Sequence, residues 1–75
     1  MEQQKFSEIL DGLFAKGDKD SIFFLALDCS LKRKAEKDKT GTEHAKCVYF
    51  LASLDKSKIK DKKFIKKIKN ILVED

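Results

Sequence analysis

The residues of this sequence best suited to chemistry are one histidine and two cysteines. His44 and Cys47 are three positions apart, which places them on one face of a helix, and Cys29 lies in an earlier apolar segment. Zinc prefers thiolate and imidazole ligands, but a structural site needs four of them. The sequence offers neither a CxxC pair nor a second histidine. We therefore interpret both cysteines as buried, reduced thiols and predict no metal site.

The same histidine and cysteine also resemble a base and a nucleophile. A catalytic pair of this kind needs a third group that orients the base, and donors that stabilise a developing oxyanion. The sequence supplies no pattern for either, and Gly12, Gly17 and Gly41 are isolated instead of grouped in a phosphate-binding loop. The sequence predicts a protein that is not an enzyme and that holds no cofactor.

The charged residues are distributed unevenly along the chain. Residues 1–31 carry six acidic and three basic residues, whereas residues 47–75 carry eight lysines and four acidic residues. A lysine-rich segment is a candidate contact surface for an anionic partner. The alternative is that these lysines are only the solvated face of an amphipathic helix, because a net charge of +4 is ordinary for a soluble domain.

Eight lysines in the C-terminal third form the predicted partner-binding surface. Five lie opposite the apolar stripe of the last predicted helix and three precede it: Lys62, Lys63, Lys66, Lys67 and Lys69, and Lys56, Lys58 and Lys60. Arg33 is the only arginine among 17 basic residues. Because the guanidinium group suits bidentate contacts with phosphate and guanine, this bias weakens a nucleic-acid interpretation.

Binding of DNA or RNA through the same lysines is the alternative function. The aromatic residues mostly fall at core positions, so they do not form a stacking platform on the basic face. A helix-turn-helix built from the second and third predicted helices would have a long loop and a recognition helix, EHAKCVYFLAS, that is poor in basic residues. The alternative rests on the distribution of charge alone.

The most apolar run, SIFFLALDCSL at residues 21–31, is the element that the rest of the chain is expected to cover. Two opposite sides of a helix in this run are apolar. They carry Phe23, Phe24, Leu27, Leu31 and Ala35 on one side and Ile22, Leu25, Ala26 and Cys29 on the other. Such a helix is expected to be surrounded. The run also alternates as a strand would, but its leucine and alanine content and its charged continuation favour a helix.

Three other segments have the spacing of amphipathic helices. Their apolar positions are Phe6, Ile9, Leu10, Leu13 and Phe14 in the first, Cys47, Phe50, Leu51 and Leu54 in the third, and Phe64, Ile65, Ile68, Ile71 and Leu72 in the last. The third is expected to end near Leu54. Residues 55–61, DKSKIKD, are predicted to be a linker, because Ile59 is out of phase with the last stripe.

Residues typical of helix ends separate these segments. Gly17 is predicted to end the first helix in a left-handed conformation. Asp18, Asp20 or Ser21 is predicted to cap the second helix, and Asp61 the last. Thr40 with Glu43 three residues later has the form of a capping box for the third helix, and Thr42 is an alternative cap.

The four segments predict an all-α fold, a compact antiparallel bundle of about four short helices in one domain, residues 1–75. If residues 22–34 and 46–53 were strands, the fold would be α+β, a helix–β-hairpin–helix. A chain this short has a small core, so a partner or a second copy in a homodimer would complete it. The N-terminus is acidic and amphipathic, unlike a signal peptide, and predicts a cytoplasmic protein.

The stretch YFLASLDKSKIKDKKFIKKIKNIL, residues 49–72, resembles the latter half of the small lysine-rich four-helix immunity proteins that protect bacteriocin producers. It contains no diagnostic motif and lacks the proline often seen between the last two elements of that family. The resemblance implies an immunity-type role.

Taken together, the sequence predicts a small regulatory or inhibitory protein-protein interaction module of bacterial, phage or plasmid origin. A membrane partner is disfavoured, because the chain needs the apolar stripe of its last helix for the core.

Overall fold

The computed structural model describes residues 2–36 and 41–73, with side chains from Lys5 onward. It contains four helices, which are α1 (Glu2–Lys16), α2 (Lys19–Ala35), α3 (Thr42–Lys56) and α4 (Lys62–Val73). The predicted all-α bundle is confirmed, and the described ranges contain no strand. The α+β alternative is wrong, because residues 22–34 and 46–53 both lie within helices.

Helices α2 and α3 form a central pair. Helix α1 packs against both of them on one side and α4 packs against both on the other, so that within the described residues α1 and α4 do not meet. Along the α2–α3 contact, Cys29 meets Cys47, and Glu36 at the end of α2 meets the start of α3. This order shows that the two helices run antiparallel, as the predicted bundle requires.

The core lies between the four helices and draws on all of them. Its buried apolar residues are Phe6, Leu10, Ile22, Ala26, Cys29, Cys47, Phe50, Leu54, Ile68 and Leu72. The ring of Phe50 is fully enclosed, with the ring centroids of Phe6 and Phe14 at 6.4 and 6.1 Å. Ring pairs of this geometry stabilise by about 0.5–1.5 kcal/mol beyond the area that they bury. These ring contacts therefore stabilise the packing of α1 against α3.

The predicted burial of α2 on both of its apolar sides is wrong. Its buried residues, Ile22, Ala26, Cys29 and Ser30, form one stripe at helical spacing. On the opposite side, Phe24 and Leu31 each keep 67% of their surface exposed. The reason is geometric: α2 has three neighbouring helices, and no further element of the described chain covers its outer side.

The ends of α1 and α2 follow the predicted signals. Gly17 has a positive φ of 66° and ends α1. Its N–H donates to the carbonyl of Phe14, and the N–H of Asp18 donates to the carbonyl of Leu13, which is a Schellman motif. The Asp18 carboxylate then caps α2 by accepting from the N–H of Ser21 at 3.1 Å and from its hydroxyl at 2.7 Å.

The start of α3 differs from the predicted capping box. Gly41 is the N-cap, and it has no side chain that could accept hydrogen bonds from the first N–H groups of the helix. Thr42 is already helical, so it is not the cap. Thr40 lies outside the described residues. The carboxylate of Glu36, at the end of α2, instead accepts from the N–H groups of Glu43 at 3.2 Å and His44 at 3.3 Å. A contact across the bundle replaces the local cap.

The absence of a side chain at Gly41 makes room for this cap. A Cβ atom at position 41 would lie 2.7 Å from the carboxyl carbon of Glu36. We therefore expect Glu36→Ala to lower the free energy of unfolding by about 1 kcal/mol, because the N–H groups of α3 lose their acceptor. Gly41→Ala should have a similar effect by displacing the carboxylate.

Urea denaturation of both single variants and of the double variant tests this coupling. In the double variant no carboxylate remains for the new Cβ to displace, so the two effects should fall well short of adding. Additive losses would contradict a cap formed by Glu36. Glu36→Gln, which retains one acceptor oxygen, is the conservative control.

Candidate functional site

The structure separates the eight predicted lysines into two groups. Lys56 ends α3, and Lys58 and Lys60 lie in the segment between α3 and α4, at the end of the bundle that also carries Lys16 and Lys19. The other five lie on α4. The eight lysines are close in sequence but do not form a single surface.

The lysines of α4 form what we call the α4 lysine strip, which comprises Lys62, Lys63, Lys66, Lys67 and Lys69. Lys62, Lys63 and Lys66 are exposed. Lys69 Nζ lies 2.6 Å from a carboxylate oxygen of Asp55 on α3, and Lys67 Nζ lies 4.8 Å from the centroid of the Phe23 ring on α2. The two edges of the strip thus also attach α4 to its neighbours.

The start of α4 is fixed by Asp61, as predicted. Its carboxylate accepts from the N–H of Phe64 at 3.1 Å and lies 3.1 Å from Lys19 Nζ. The hydrogen bond from Phe64, followed by the one from Lys19, lowers the pKa of Asp61. This contact sets the position at which the α4 lysine strip begins along α2.

Sequence reasoning missed an apolar surface beside these lysines. Phe24 and Leu31, with half-buried Leu27 between them, follow the outer side of α2, and we call these three residues the α2 strip. The ring of Phe24 lies 5.8 Å from that of Phe23, which in turn contacts Lys67. The sequence signal was present in the second apolar side of α2, but it was interpreted as buried.

The opposite border of the α2 strip is formed with α1. Lys5, Ile9, Leu25, Asp28 and Lys32 line a shared cavity there, and Ile9 is 51% exposed. Lys32 Nζ lies 3.1 Å from the carboxylate of Asp28, and this hydrogen bond is the main cause of a raised pKa at Lys32. The same cavity is lined by Glu43, whose carboxylate lies 3.5 Å from Lys46 Nζ, so both acidic groups of this border are paired with a lysine. Both borders of the strip carry lysine.

A second, smaller apolar surface lies where α4 ends beside α3. Val48 is 52% exposed and Val73 is 56% exposed, and both line an open cleft with Leu51 and Leu72. The rim of this cleft carries Arg33 and Lys34 as well as Glu36, whose carboxylate already caps α3. None of the three residues of the α2 strip lines this cleft, which therefore offers a control surface for it.

The two cysteines are free, buried thiols, as predicted. The thiol of Cys47 lies 3.8 Å from the backbone oxygen of Cys29, to which it donates. Burial, and then the neighbouring Cys47, raises the pKa of Cys29 to about 12, and burial also raises the pKa of Cys47. His44 is exposed, and within residues 2–36 and 41–73 no group of three His, Cys, Asp or Glu residues is placed to hold a metal ion.

We expect a disulfide reagent to label Cys29 and Cys47 slowly in the folded protein and rapidly in denaturant, because the reactive thiolate is disfavoured and access is blocked.

The raised pKa of Cys29 also makes the stability of the fold depend on pH. The neutral thiol stabilises the folded state fully below the ordinary pKa of 9.0, and this stabilisation is lost as the pH rises toward about 12. The free energy of unfolding should therefore fall more steeply above pH 9.0 in the wild type than in Cys29→Ala. Equal slopes would contradict the raised pKa.

Comparisons with protein-family models, curated proteins and solved structures found no match to this chain. Within the described residues, each helix is too short or too polar to span a lipid bilayer.

Proposed function

We propose that this protein is a non-enzymatic interaction module that binds another protein through one face, formed by the α2 strip and the adjoining α4 lysine strip. The observation that carries the proposal is the exposure of Phe24 and Leu31, 67% each, on a helix whose opposite side lies in the core. Its proposed role is that of a small regulatory, inhibitory or immunity-type protein of bacterial, phage or plasmid origin.

Energetics support an apolar centre with a charged border. Burying a phenylalanine or leucine side chain stabilises by about 1.5–3 kcal/mol, so covering Phe24 and Leu31 would contribute substantially to binding. A few residues contribute most of the binding energy of a protein interface, and aromatic residues, phenylalanine among them, are enriched there. Lysines at the border mainly accelerate association and select against partners of the wrong charge.

The proposal is tested by capture from a source-cell lysate with the tagged full-length protein, with and without nuclease and at low and moderate salt. We expect a discrete protein that survives both treatments. Phe24→Asp should abolish its capture, because the substitution places a charge at the apolar centre, and Lys63→Glu with Lys67→Glu should weaken it.

Val48→Asp is the control for Phe24→Asp, because Val48 is also an exposed apolar residue, at 52% against 67% for Phe24, but lines the α3–α4 cleft. Lys58→Glu is the control for charge. Both should retain capture, and circular dichroism with urea denaturation confirms that each variant folds. Capture that persists in Phe24→Asp, or that is lost only in Val48→Asp, would contradict the proposed face.

Nucleic-acid binding is the second candidate, and the observation that favours it is the exposed group of Lys62, Lys63 and Lys66 on the first two turns of α4. In that case the affinity for a labelled duplex should fall with salt, with a log–log slope of about −0.9 for each phosphate neutralised. Charge reversal at Lys62 and Lys66 should reduce this slope, while Phe24→Asp should leave it unchanged. A protein held by the α2 strip should show much weaker salt dependence.

A further inference from the structure

We infer that the partner contributes an acidic amphipathic helix, which lies along α2 between α1 and α4. This inference rests on the proposed function and specifies the chemistry of the contacting element. The described face has three properties that select such an occupant: its apolar spacing, its cationic borders and its mismatch with a second copy of itself.

The apolar spacing matches one face of a helix. Phe24 and Leu31 are seven residues apart, so they project from α2 about 10 Å from each other, with Leu27 between them. A partner helix with apolar residues at positions i, i+3 or i+4, and i+7 presents anchors over the same length. Ile9 of α1, 51% exposed, extends the apolar surface to one side.

The borders of this surface are cationic on both sides. On the α4 side, Lys67 lies against Phe23 where the strip begins. Lys63 is one turn nearer the start of α4, which lies beside Lys19, so it stands with Asp20 beyond the Phe24 end of the strip. On the α1 side stand Lys5 and Lys32. An amphipathic helix with carboxylates flanking its apolar stripe would meet Lys67 on one edge and Lys5 and Lys32 on the other.

The acidic residues on the outer side of α2 do not reverse this charge. Asp28 is held by Lys32 at 3.1 Å. Asp20 lies in the first turn of α2, beyond the Phe24 end of the strip. The centre of the face therefore combines exposed apolar groups with a net positive border.

A second copy of this chain fits the face poorly. A two-fold axis across the α2 strip brings the borders of one copy against those of the other. Whether the two α2 helices run parallel or antiparallel, every such border contains lysine, since Lys5 and Lys32 line one and Lys67 the other. Like charges placed opposite one another disfavour that pairing.

The test titrates the full-length, isotope-labelled protein with synthetic peptides of about five helical turns, followed by the shifts of its backbone amide signals. One peptide has leucine at the apolar positions and glutamate elsewhere, and its matched control has lysine in place of glutamate. We expect the glutamate peptide to shift the amides of residues 24–31 and 63–67, and the lysine peptide to shift none of them.

Variants assign the binding energy to the face. Phe24→Asp should weaken the glutamate peptide by at least about tenfold, and Lys5→Glu with Lys67→Glu should do likewise. Val48→Asp and Lys58→Glu should bind as the wild type does. Equal affinity for both peptides, or shifts centred on Val48 and Val73, would overturn the inference.

Two further measurements separate the other occupants. Sedimentation of the protein alone would overturn the inference if it showed a dimer that Phe24→Asp dissociates. Co-sedimentation with phosphatidylglycerol vesicles would overturn it if binding required Phe24 and the glutamate peptide did not compete. Capture of a lysate protein that needs Phe24, without binding of the glutamate peptide, would leave the proposed function standing and remove only the acidic helix.

Discussion

The packing of α2 against α3 is the contact on which the rest of the structure depends. Small cysteine side chains lie in this contact, where the Cys47 thiol lies 3.8 Å from the Cys29 carbonyl oxygen. Among the residues that the structure describes, helices α1 and α4 each pack on both members of the pair and not on each other. Loss of the α2–α3 contact would therefore affect more than one pair of helices, because α1 and α4 both pack on the surface that α2 and α3 form together.

This arrangement also determines where apolar residues stay exposed. A helix with neighbours on three sides has one side left, and on α2 that side carries Phe24 and Leu31. The two helices that cover the flanks of α2 bring lysine with them, Lys5 from α1 and Lys67 from α4. The same packing that forms the core thus assembles an apolar strip with cationic borders from three separate helices.

Local signals predicted most of the fold because they act within a few residues. Helical periodicity located all four helices, and Gly17, Asp18 and Asp61 placed their ends through contacts at most five residues away. The cap of α3 was not predictable in this way, since Glu36 is seven residues from Glu43 and belongs to another helix. The exposure of Phe24 was missed for a related reason: periodicity shows that a side is apolar, but only the packing shows whether another element covers it.

The same distinction applies to the lysines. Their positions on α4 predicted a solvent-facing side, but the packing decides which of these lysines also contact a neighbouring helix. Lys69 is paired with Asp55 and Lys67 rests on Phe23, whereas Lys63 and Lys66 remain exposed. Because exposed lysines act at long range and the α2 strip acts only on contact, the two parts of the face would govern different steps of binding. The lysines would set the rate of encounter, and Phe24 with Leu31 would set how long the complex lasts.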